Sequence, residues 1–147
     1  REVKEPMKHI ASIIAVGALL VGALVAPAHA GPIRYGRVWA ADKILREGCH
    51  SYRYQYVVRP RTNDWSAETF LHAPSGRTIA SGGLHFGVDP KRGTGSFRFC
   101  NDVTRPGRFK ITGKLTWRSC NDLPGPLNEC KKHVRWVKPG YFRMRRA

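Results

Sequence analysis

Along most of this chain, apolar and polar residues alternate one for one. Tyr52-Arg53-Tyr54-Gln55-Tyr56-Val57-Val58 places aromatics at every second position, the period of a strand with one face buried. Pro60 to Asp64 breaks the pattern, and Trp65 to His72 resumes it. Pro74-Ser75-Gly76-Arg77 is a tight turn, because Pro presets one turn dihedral and Gly tolerates the next. Thr78-Ile79-Ala80 begins another strand, which Leu84 to Val88 continues past a double glycine, and Pro90 to Gly95 reads as a loop. Ser96 to Cys100 is a short strand and Asn101 to Gly107 a turn.

The cleanest signal runs from Arg108 to Trp117. Phe109, Ile111, Leu115 and Trp117 share one face, and Lys110, Thr112, Lys114, Thr116 and Arg118 share the other. A half-buried antiparallel strand has that composition and period. Lys131 to Val137 and Tyr141 to Arg145 complete the series, parted by Pro139-Gly140, and Arg37 to Ala41 is read as a first strand.

About seven short strands with regular turn signals predict an all-β chain, a small antiparallel β-sandwich. A small closed barrel is the alternative. The expected core is Tyr54, Tyr56, Phe70, Phe97, Phe99, Phe109, Ile111, Leu115, Trp117 and Trp136. Trp39 and Trp65, near segment ends, are candidates for exposed platforms.

The first thirty residues have a different character. Met7-Lys8-His9 is a short positive start, Ile10 to Val25 is apolar or small, and Ala28-His29-Ala30 is an Ala-x-Ala site. This is the three-part pattern of a secretory signal peptide over residues 7–30. The apolar run is shorter than the roughly 20 residues of a membrane span, so no transmembrane segment is expected after cleavage. Residues 1–6 read as an upstream remnant, and residues 31–147 as one secreted domain.

Export changes how the cysteines are read. Cys49, Cys100, Cys120 and Cys130 form an even set in an exported chain, which implies two disulfides. Of the three pairings, Cys49–Cys100 with Cys120–Cys130 is favoured, the second clasping the Asn121 to Glu129 loop. No CxxC pair is present, so the spacing argues against zinc.

Charge then narrows the partners. The chain has 26 Lys and Arg against 10 Asp and Glu. Residues 31–147 keep 23 basic and 8 acidic residues, a net charge of +15. Lys110, Lys114 and Arg118 share the polar face of one strand, and Arg135, Arg143 and Arg145 lie in a basic C-terminal segment. If those strands pair, the six form one cationic binding surface. Guanidinium groups take phosphate and carboxylate bidentately. The expected partner is an anionic polymer: a wall polymer, nucleic acid or anionic lipid at the envelope. The rival expectations are a protein partner bound by the clasped loop of an exported inhibitor or effector, and a small secreted hydrolase.

Catalytic motifs are sparse. No HExxH, GxSxG or glycine-rich phosphate loop occurs, and no cofactor or resident metal is expected. His72 and His85, with Glu68, would supply an acid–base pair if the Pro74–Arg77 hairpin joined them. Cys100-Asn101-Asp102 and Cys120-Asn121-Asp122 echo each other. Asx-type turns explain them better than a calcium site on Asp102 and Asp122, since calcium takes six to eight oxygens.

The run from Asp64 to Gly113 resembles, in cadence, immunoglobulin-like and prepeptidase-type extracellular modules. The likeness rests on the Pro74–Arg77 turn, Phe99-Cys100, and Thr104-Arg105-Pro106-Gly107-Arg108-Phe109 leading into a strand. Size and cysteine count are also similar to secreted microbial protease inhibitors and sandwich-type apoprotein carriers. Their motif residues do not occur in this chain, so no functional residue is carried across.

Overall fold

A computed structural model describes residues 33–121 and 129–147. The expected signal segment and positions 122–128 of the clasped loop lie outside the described residues. The strands are β1 (Gly36–Trp39), β2 (Lys43–Leu45), β3 (Cys49–Val58), β4 (Trp65–His72) and β5 (Thr78–His85). After them come β6 (Arg92–Cys100), β7 (Gly107–Cys120), β8 (Cys130–Trp136) and β9 (Gly140–Arg146). A single 3₁₀ turn, Asn101–Val103, lies between β6 and β7.

Two sheets form. The smaller has the order β1-β3-β6, and the larger β2-β9-β7-β4-β5 with β8 also paired to β7. All pairings are antiparallel except β2 with β9. The 14-residue β7 organises the larger sheet. One edge carries β4. The other carries β9 along Gly107–Ile111 and β8 along Lys114–Cys120. Between β8 and β9 the chain turns inward at Val137, whose N–H donates to Gly113 O at 2.9 Å. Val38 N then donates to Lys138 O at 3.1 Å and Lys138 N to Gly36 O at 2.9 Å, which joins the two sheets along one seam.

The buried faces interleave aromatic residues. Tyr52, Tyr54 and Tyr56 all point inward and are buried. Two of them lean along β6 past their direct partners: Tyr52 stacks on Phe99 at 4.6 Å and Tyr54 on Phe97 at 4.4 Å. That lean requires space, and glycine supplies it. Gly95 and Gly93 stand directly opposite Tyr54 and Tyr56. A Cβ on Gly95 would collide with the Tyr54 ring, and one on Gly93 would sit 2.7 Å from Tyr56 Oη. The larger sheet contributes Phe109, Ile111, Leu115 and Leu71, all fully buried, each stabilising by about 1.5–3 kcal/mol. Tyr54 Oη and Thr69 Oγ1 hydrogen-bond across the core at 2.8 Å, and Thr69 Oγ1 also reaches Gly82 O at 3.3 Å. Thr69 is thus satisfied, whereas Trp65 Nε1 is buried with no hydrogen-bond partner.

Both favoured disulfides form, Cys49–Cys100 and Cys120–Cys130. Each joins residues directly opposite in register, β3 to β6 and β7 to β8. Four local expectations need correction, and the first is Phe70: it is half-buried on the solvent face of β4 rather than in the core, because its partner is Thr112. Strand β6 begins at Arg92, inside the stretch read as a loop, because its glycines admit the neighbouring tyrosines. Trp65 is no platform: it is 4 % exposed, packed inward opposite Trp117. Trp136 is no core residue: it is 60 % exposed, because its partner Lys114 lies on the solvent face of β7. Asn101 does lie in the 3₁₀ turn, but its Oδ1 accepts from the distant Gly48 N at 2.9 Å rather than from neighbouring backbone, so this is not the Asx-type turn expected.

Candidate polyanion-binding face

The solvent face of the larger sheet is set by register, since residues directly opposite on antiparallel strands project to the same side. Strand β7 presents Arg108, Lys110, Thr112, Lys114, Thr116 and Arg118 to solvent. β9 adds Tyr141 and Arg143 opposite Lys110 and Arg108. β8 adds Lys132, Val134 and Trp136 opposite Arg118, Thr116 and Lys114. β4 adds Glu68, Phe70 and His72 from the other edge.

Two pairings on this face place like charges directly opposite: Arg108 with Arg143, and Arg118 with Lys132. Like charges in that position destabilise a sheet. Carboxylates do little to offset them. The only ion pair among the described residues is Lys114 with Glu68, adjacent cross-strand partners. Asp42 lies near Arg143, but its Oδ1 accepts from the backbone N–H at 2.8 Å.

Aromatic rings are set among the cations. Tyr141 is 48 % exposed, with Arg108 Cζ 4.3 Å and Lys110 Nζ 5.9 Å from its ring centroid. Trp136 packs at a tilt on Phe70 with centroids 6.4 Å apart. At the far end of the face a shallow cleft lies among Ser66, His85, Thr116, Arg118 and Lys132.

The six residues expected to bind are not all gathered here. Lys110, Arg118 and Arg143 share the face. Arg145 continues it along β9, beside the exposed Ile44 of β2. Lys114 is on the face but held by Glu68. Arg135 projects to the opposite side of β8, because its partner is the core residue Leu115. Sequence reasoning missed Arg108, Lys132, Trp136 and Tyr141. Their alternation with core residues was visible, but which side of β8 and β9 joins the face depends on pairing.

The histidines are placed apart. His72 lies beside the hairpin turn, while His85 pairs with Ser66 at the far end of β4. Six strand residues separate those positions, about 20 Å, so the hairpin keeps the two rings apart. Both nitrogens of His72 are engaged, by Thr112 Oγ1 at 2.9 Å and Thr78 Oγ1 at 3.0 Å. Glu68 is turned to Lys114. Of the two calcium candidates, Asp102 lies on the 3₁₀ turn and Asp122 outside the described residues. Among the described residues no helix is long and apolar enough to cross a membrane. No family model, curated protein or solved structure matches this chain.

Proposed function

We propose that this is an extracellular β-sandwich protein that binds an anionic polymer through the solvent face of its larger sheet. The supporting observation is the pair of directly opposed cations, Arg108 with Arg143 and Arg118 with Lys132. A sheet gains nothing internally from such pairs. A phosphate or carboxylate bridging each one cancels the repulsion and takes charge-assisted hydrogen bonds from both sides. The exposed rings of Trp136 and Tyr141 add flat apolar surface beside those charges. Two disulfides and the export pattern at residues 7–30 support an extracellular setting.

The experiment is retention of the oxidised protein on immobilised DNA and on isolated cell envelopes across a salt series. With Arg108, Lys110, Arg118, Lys132 and Arg143 engaged, log affinity for duplex DNA should fall against log salt with a slope of roughly −4 to −5. Charge reversal of Lys110, Arg118 and Arg143 together should abolish retention while leaving the fold intact. Elution from both matrices at the lowest salt would sink the reading. Retention insensitive to salt but lost on opening Cys120–Cys130 would favour a protein partner at the clasped loop.

A further inference from the structure

On the other side of β8 lies a second cationic cluster, built on Tyr35. Its position is fixed by three constraints. Arg59 N donates to Tyr35 O at 2.9 Å, and Arg59 Nη1 to Ile33 O at 2.9 Å, which pins the approach to β1. The Tyr35 ring stacks on Trp117 with centroids 5.7 Å apart. Trp117 in turn stacks on His133 at 5.2 Å, and His133 Nε2 is held by Ser119 Oγ at 2.8 Å. The result is an aromatic wall of Tyr35, Trp117 and His133 on this side of β8.

Guanidinium groups gather on that wall. Arg34 Cζ lies 5.3 Å and Arg135 Cζ 5.8 Å from the Tyr35 ring centroid. Arg135 is there because pairing with Leu115 turns it away from the solvent face of the sheet. The neighbouring Arg135 guanidinium, whose Nη1 donates to Val134 O at 2.7 Å, holds the Tyr35 phenol below the ordinary tyrosine value; burial opposes this, and the charges of Arg34, Arg135 and Arg61 add to it. Among the described residues, none of the three arginines has a carboxylate partner.

We infer that Tyr35, Arg34 and Arg135 form a discrete site for a tetrahedral oxyanion of the phosphate–sulfate class. Two guanidinium forks and one phenol offer several donors around the Tyr35 ring. A tetrahedral anion has enough oxygens to accept from both forks and the phenol, whereas a planar carboxylate has two. The wall is fixed by packing before any ligand arrives, which lowers the ordering cost of binding. This site does not depend on the polymer reading, since it uses the opposite side of β8.

The test is titration of the oxidised protein with inorganic phosphate and with sulfate, chloride keeping the ionic strength constant. Ring signals of Tyr35 and the indole signal of Trp117 are followed by NMR, with the Trp136 indole as an internal reference. Saturable shifts at Tyr35 and Trp117, with Trp136 unmoved, are expected. Affinity should weaken about tenfold or more in Arg135→Gln and about fivefold in Tyr35→Phe, which keeps the stack but loses the hydroxyl. Phosphate binding without sulfate binding assigns a phosphate ligand, and equal binding assigns the shared oxyanion chemistry. Shifts that chloride reproduces, or that persist unchanged in Arg34→Gln/Arg135→Gln, overturn the site. Charge reversal of Lys110, Arg118 and Arg143 should leave these titrations unchanged, so the two readings fail separately.

Discussion

Arg108 and Arg143 stand directly opposite each other on the solvent face of the β7–β9 ladder, and the Arg108 guanidinium lies over the neighbouring Tyr141 ring. Cation–π contact recovers about 0.5–1 kcal/mol at an exposed site, similar in size to the cost of a like-charged cross-strand pair. The pair is tolerated rather than favoured. Arg143→Thr should therefore raise stability by a few tenths to about 1 kcal/mol. The same change should weaken polyanion retention and flatten its salt slope by about one unit. Urea unfolding and column retention on one variant read both effects.

Trp136 is exposed and touches the sheet mainly through Phe70. Trp136→Ala should cost little stability. Single-stranded nucleic acid, which stacks bases on such rings, should bind more weakly by roughly 1–3 kcal/mol. A ring-free polyphosphate should bind as before. Parallel titrations with the two polymers separate stacking from charge.

The two disulfides close loops of different size, with sequence separations of 51 and 10. In the chain-entropy account, losing Cys49–Cys100 costs about 4 kcal/mol and losing Cys120–Cys130 about 3. Cys49→Ser/Cys100→Ser should lower the urea midpoint more than Cys120→Ser/Cys130→Ser. The second variant should also raise hydrogen exchange along β8, since that bond secures the end of the β7–β8 ladder.

Gly95→Ala should destabilise the fold by about 1–3 kcal/mol, the cost of forcing a methyl into a packed interior. The Cβ meets the Tyr54 ring, which is itself trapped between Phe97 and the Thr69 hydrogen bond. Partial rescue by Tyr54→Leu in a double-mutant cycle would tie the loss to that contact.

Alkali should unfold the protein through Tyr54. Burial raises its phenol above the ordinary value of 10.0, outweighing the lowering effect of the Thr69 hydrogen bond. The protonated ring is the form the core accepts. Its stabilisation is complete below pH 10 and is lost as pH rises through the folded-state value. Tyr54→Phe should cost about 1 kcal/mol at neutral pH and move the alkaline transition upward. Thermal unfolding at neutral pH and above pH 10 checks both signs.

Much of the fold is legible from local pattern. Period-two alternation from Tyr52 to Val58 and from Arg108 to Trp117 determined β3 and β7 and most of their buried residues. Pro74-Ser75-Gly76-Arg77 determined the β4–β5 hairpin. The cysteine set determined two cross-links. These features are short-range, so residue type and spacing carry them.

The composition of the functional face was decided only by tertiary pairing. β8 has exposed positions on both sides, and nothing in its sequence says which side meets Lys114 and Arg118. The register that sets Leu115 against Arg135 and Thr116 against Val134 sends Arg135 to the Tyr35 cluster and Lys132, Val134 and Trp136 to the solvent face. A shift of one residue would exchange those sets. By itself the sequence determined most of the strands, the disulfide count and the excess of positive charge. Which cations stand side by side is a property of register between distant strands, and only the tertiary structure decides it.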